Sequence, residues 1–172
     1  MGSKAEDYNW QRQFIPEIKA VLANYLIDEA SEDEDMRHNT DLMALEARTV
    51  RIACRMRHWE YWHRYGNEFT IRSGRPSGTP TELAKVVSGW GDRIFYGFEG
   101  PTPGTLGPWL LGDLREFRLW FNRQLAIGSQ KWTIKPNGDG TTFHAFRVDD
   151  LPNKFVVSRR VTPPSAVMDG AA

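Results

Sequence analysis

The segment "TVRIACRMRH" alternates without a break, with Val50, Ile52, Cys54 and Met56 at one parity and Arg51, Ala53, Arg55 and Arg57 at the other. Successive side chains of an extended strand point to opposite faces, so a period of two predicts a β-strand with one apolar and one basic side. The three arginines are expected to project together, opposite the face that buries Val50 and Ile52. "EFTIR" repeats the pattern, Phe69 and Ile71 facing one way and Glu68, Thr70 and Arg72 the other.

The rest of the chain supplies helices and turns around these strands. From Pro16 to about Glu29 the apolar residues Ile18, Val21, Leu22, Tyr25 and Leu26 recur every three or four positions, the pattern of a one-faced helix, and Pro16 suits its first turn. "SEDEDMRHN" reads as a surface loop and "SGRPSGTP" as a turn. "TELAKVVSGWG" reads as a short helix capped by Thr79 or Thr81 and stopped by Gly89 or Gly91. "DRIFYGFE" and "WLLGDL" read as strands, the second running into a helix whose Leu114, Phe117, Phe121 and Leu125 share a face. "KWTIKPNGDGTTFHAFRV" reads as a hairpin turning at "NGDG".

These elements predict an α+β fold: a mixed sheet with helices packed on it and a C-terminal hairpin. Since "EFTIR" and "DRIFYGFE" flank a helix, a right-handed crossover is expected to make them parallel neighbours. Val50, Ile52, Phe69, Ile71, Ile94 and Tyr96 are the expected core. At 172 residues, with 40% hydrophobic and 12% aromatic content, the chain is long and apolar enough for one unstapled core. The expected boundaries are an extension over 1–15, a single domain over 16–158 and a disordered tail over 159–172.

The lone cysteine, Cys54, cannot close an internal disulfide or build a multi-cysteine metal site, and its parity makes it a small buried hydrophobe. With neither an apolar leader in "MGSKAEDYNWQRQ" nor a spanning segment, the expectation is a cytoplasmic protein without a membrane partner. Basic and acidic residues number 22 each, so no global charge draws in a polyanion. Locally the balance shifts: residues 47–75 carry seven arginines against Glu60 and Glu68, an excess of five positive charges. Such a patch suits an anionic ligand, and a solvated strand face would look the same. Glycine-rich phosphate loops, the zincin motif and the hydrolase elbow are absent. His58 and His63 sit in "HWEYWH", read as aromatic packing.

The order helix, "DLMALEA", "TVRIACRMRH", "EFTIR", "TELAKVVSG", "DRIFYGFE" resembles the α-β-β-β-α-β core of the PD-(D/E)XK nuclease superfamily over residues 16–99. In "TDLMAL", "RIACRMR" and "EFTIRSGRPSGTPTELAKVVSGWGD" the chain is also similar to a group of uncharacterised phage and bacterial proteins. The nuclease resemblance implies Mg²⁺ held by acidic oxygens, with a cation steadying charge on phosphate. It puts Asp41 as first ligand, Glu46 or Glu68 as further metal ligands, Glu82 as another displaced carboxylate beside Lys85, and Arg55 and Arg72 where the family carries lysine. Arginine holds phosphate but is a poor base. For Glu82 and Lys85 an ordinary exposed helix pair is the plainer reading.

The expected function is therefore a nuclease-like domain acting on or binding nucleic acid, with metal-dependent phosphodiester cleavage. A second reading is a binding module in which Arg51, Arg55, Arg57, Arg72 and Arg75 meet phosphates while Trp59, Tyr61 and Trp62 stack on bases. A third has the same face meet an acidic protein.

Overall fold

The computed structural model describes residues 9–23, 28–29, 42–43 and 50–161. The chain divides into two units, residues 1–50 and residues 51–172.

In the first unit, α1 (Ile15–Ala23) buries Ile18 and Leu22, one turn apart, as its apolar spacing predicts. Just before it, the rings of Trp10 and Phe14 meet edge to face at 5.2 Å. Asp28–Glu29 (β1) pairs antiparallel with Leu42–Met43 (β2), so the helical pattern does not continue to Glu29 as expected. Tyr25, Leu26, Asp41 and Glu46 lie outside the described residues.

The second unit is built on two sheets. β3 (Ile52–Arg57) runs parallel to β5 (Arg93–Glu99), which pairs antiparallel with β6 (Leu106–Asp113), which pairs antiparallel with β9 (Val156–Arg160). The sheet is thus mixed, in the order β3-β5-β6-β9. The other sheet is antiparallel, in the order β4-β8-β7, from Glu68–Gly74 (β4), Thr142–Arg147 (β8) and Thr133–Pro136 (β7). The α+β class, the mixed sheet, the packed helices and the "NGDG" hairpin agree with the sequence reading.

Two pairings differ from it. Past the single helical turn α2 (Trp62–Tyr65), the crossover containing α3 (Glu82–Val87) joins β4 to β5, yet those strands lie in different sheets; the parallel neighbour of β5 is β3. β4 instead pairs along its length with β8, more than 60 residues later, a non-local choice that no local pattern encodes. Arg159 and Arg160, read as the start of the tail, close β9 against Leu110 and Trp109.

The core of the second unit lies where its two sheets meet the helices that follow β4 and β6. Phe69, fully buried, is its hub, its ring 5.5 Å from Tyr96, 5.6 Å from Phe117 and 5.3 Å from Phe155. β6 is interior on both sides, paired to β5 and β9, and so carries a nearly continuous apolar run. Asp113 ends it and caps α4 (Leu114–Ala126), its Oδ1 accepting from the backbone N of Arg115 at 2.8 Å and of Glu116 at 3.1 Å. Along α4 the buried row is Leu114, Phe117, Phe121 and Gln124. Leu125, expected on that face, is exposed although it lies only about 40° round the helix from Phe121; it stands in the last turn of α4.

Strand register fixes where the arginines go. Paired residues share a face, and β3 pairs Ala53 with Ile94, Arg55 with Tyr96 and Arg57 with Phe98. Arg55 and Arg57 therefore share the side of the sheet that carries the core, at its outermost strand. Cys54 and Met56 occupy the other side, opposite Phe95 and Gly97. Gly97 makes room for Met56, since a Cβ there would lie 2.9 Å from the Met56 sulfur. Phe69, Ile71, Ile94 and Tyr96 are buried as expected, whereas Val50 is 45% exposed and Ile52 half-buried. Among the described residues β3 is the edge strand of its sheet and Val50 precedes it, so a paired strand covers β3 on one flank only.

Candidate nucleic-acid interface

Each arginine of the β3 parity has an aromatic ring beneath it, contributed by a different element. The Arg51 guanidinium lies over Trp90 at 5.7 Å, that of Arg55 over Phe143 at 5.1 Å, and that of Arg57 over Tyr61 at 4.8 Å. Trp90 sits in the turn after α3, Phe143 on β8, and Tyr61 in the 3₁₀ turn Trp59–Tyr61 that follows β3. A cation over a ring face is attracted by the ring's quadrupole, and the stacked guanidinium gives up little of its hydrogen-bonding edge.

Arg72 joins the row from β4. Its register partner on β8 is Phe143, and its guanidinium lies 5.4 Å from that ring, so Arg55 and Arg72 share one aromatic support. The Arg72 Nε is buried without a hydrogen-bond partner among the described residues, and so is the Nε of Arg75. Arg75 reaches Thr79 Oγ1 only at 3.5 Å.

Carboxylates already engage part of this face. Glu82, at the first position of α3, accepts from Nη1 of Arg55 at 2.6 Å. The Arg57 Nη1 donates to Thr70 Oγ1 at 3.3 Å, and that hydroxyl meets the Tyr96 hydroxyl at 2.9 Å. Glu68 is ion-paired with Lys135 of β7, whose ammonium also sits 4.4 Å from the Tyr65 ring. Asp139, in the "NGDG" turn, is held below the usual carboxylate range first by the Thr141 hydroxyl, then by the Thr141 backbone N–H, with the charge of Arg72 a smaller contribution.

Of the residues singled out in the sequence, the structure brings Arg55 and Arg72 together on Phe143 and sets Arg57 in step with Arg55 on β3, with Arg51 just before that strand. The expected metal ligands Asp41 and Glu46 lie outside the described residues, and Glu68 is turned to Lys135. Among the described residues no three His, Cys, Asp or Glu side chains converge as a metal site. Lys85, expected beside Glu82, is exposed, and Glu82 pairs with Arg55 instead. Trp59 and Trp62, candidates for stacking, pack against His63 and Phe98, while Tyr61 carries Arg57. Burial holds the Cys54 thiol above its ordinary value, which agrees with a packed, unreactive residue. No described helix is long and apolar enough to cross a membrane.

Phe143 and Trp90 were missed. Phe143 is one of many aromatics in the sequence, and its place under two arginines depends on the non-local pairing of β4 with β8. Trp90 carried a signal in "SGWGD", a tryptophan between two glycines, read only as the end of a helix. No family model matches the chain, nor does any curated protein or solved structure.

Proposed function

We propose that the chain binds nucleic acid, with the β3 arginines and Arg72 contacting phosphates. The observation that carries this reading is the row of Arg51, Arg55 and Arg57, each stacked on an aromatic ring from another element. Arg55 and Arg57 are two residues apart on one face, about 6.6 Å by the rise of a strand, which is close to the separation of successive phosphates along an extended backbone. Stacking removes much of the rotamer freedom that an arginine otherwise loses on binding. Zero net charge makes the attraction local, so affinity rests on these contacts rather than on a field of the whole molecule.

Binding, rather than cleavage, is the reading that the described geometry favours, because the carboxylates Glu68 and Glu82 are each held by a cation. The test is equilibrium binding of a short labelled strand and a short duplex at low salt. Arg55→Ala and Arg72→Ala are expected to weaken it several-fold each, and Lys154→Ala, an exposed position in a 3₁₀ turn, to leave it unchanged. Wild-type protein that binds neither ligand would turn the reading to an acidic protein partner for the same face.

A further inference from the structure

Trp90 is the exposed tryptophan that the fold goes furthest to present. α3 ends in a Schellman arrangement, the Trp90 N–H donating to the Lys85 carbonyl at 3.0 Å and the Gly89 N–H to the Val86 carbonyl at 3.0 Å. Gly89 at φ 96° and Gly91 at φ 78° bracket Trp90 in left-handed conformations, which fixes the direction in which the indole leaves the backbone. In this motif the residue at the Trp90 position ordinarily folds back onto an apolar side chain in the last turn of the helix. Here the positions it would fold onto are Lys85, exposed and cationic, and Ala84, small and also exposed. The indole is left 63% exposed, with the Arg51 guanidinium against its ring.

So large an apolar ring, held outward with Arg51 against part of it, leaves aromatic surface free and suits a planar partner. Arg51 stands four residues before Arg55 at the same parity, about 13 Å along an extended chain. A strand whose phosphates meet Arg55 and Arg57 has its next bases within reach of the indole.

Resting on the nucleic-acid reading above, we infer that Trp90 is a stacking platform for an unpaired nucleobase, so that the ligand of this face is a single strand rather than a duplex. In a duplex both faces of each base are already taken by its neighbours. An unpaired base offers a free π-face of any identity, so the contribution is independent of sequence.

The experiment compares a single-stranded 12-mer, a strand of equal length with abasic sites throughout, and a duplex, for wild type and for Trp90→Ala, Trp90→Leu, Trp90→Phe and Arg55→Ala. The expected result is that Trp90→Ala and Trp90→Leu weaken single-strand binding about tenfold. Trp90→Phe keeps most of the affinity, and in Trp90→Ala and Trp90→Leu the abasic strand and the duplex lose only the smaller part that Arg51, deprived of its ring, contributes. Trp90→Leu separates an aromatic face from mere apolar bulk. Unchanged single-strand binding in Trp90→Ala, an equal loss on the abasic strand, or a wild-type preference for duplex would overturn the inference. If Arg55→Ala still weakens binding in that case, the phosphate reading stands and only the base platform falls. If Arg55→Ala is also silent, both fall.

Discussion

Nη1 of Arg55 lies 2.6 Å from Oε2 of Glu82, so the middle arginine of the row is partly neutralised before any ligand arrives. The glutamate side chain is 44% exposed and the arginine 17%, so water screens the pair from one side only. Removing the carboxylate charge is expected to release Arg55 toward phosphate. Glu82→Gln should therefore tighten binding of a short strand several-fold at low salt, while stability in urea falls by less than about 1 kcal/mol. Weaker binding in Glu82→Gln would mean that the pair positions Arg55 rather than competing for it.

Phe69 and Ile52 test the core. Phe69 is fully buried among Tyr96, Phe117, Phe146 and Phe155, so Phe69→Ala should cost about 3 to 5 kcal/mol in denaturant unfolding. Ile52, half-buried on an edge strand, should cost less than half as much when cut to Ala. Equal losses would put Ile52 in the core after all.

The alternation that identifies β3 was legible because a strand's period is local, and the Thr81 cap and the "NGDG" hairpin are local signals too, while β6 was legible only from Trp109 on, by its apolar run. Alternation says which residues share a face and not what the face looks at. The basic side of β3 was therefore expected to meet solvent, whereas it lies at the rim of the core with Glu82 and Phe143 against it. Both partners come from elements whose position depends on the pairing of β4 with β8 and on α3 crossing between sheets, neither of which the local sequence specifies.

His144 links stability to pH. Its ring stacks on Trp132 at 5.7 Å, its Nδ1 is buried without a partner among the described residues, and burial lowers its pKa from the usual 6.5. Between the lowered value and 6.5 the unfolded chain holds more protons at this site than the folded one, so stability rises with pH across that window. The contribution is complete above about pH 7 and fades as pH falls through 6.5. His144→Phe should flatten the dependence in urea midpoints measured from pH 7.5 to pH 5. An unchanged slope would assign it to other groups.

Phosphate contacts made by arginine need no divalent cation, so EDTA should leave the affinity unchanged. The nuclease resemblance, if it extends to chemistry, would put a metal at Asp41, which lies outside the described residues. Strand cleavage that requires Mg²⁺, stops in EDTA and is lost in Asp41→Asn would add a phosphodiesterase activity to the binding proposed here, since an amide lacks the charged oxygen that a hard cation requires. Incubation with Mg²⁺ that leaves the strand intact agrees with a module that binds only.

The most direct test of the arginine row is the salt dependence of binding. Each phosphate neutralised releases condensed counterions, so log K for wild type and a short single strand should fall linearly with log salt. Arg55→Ala and Arg57→Ala should each make that slope shallower by about 0.7, the loss of one contact, while Lys154→Ala leaves it unaltered. A slope that both arginine variants share with wild type, or no detectable binding at low salt, would contradict the account.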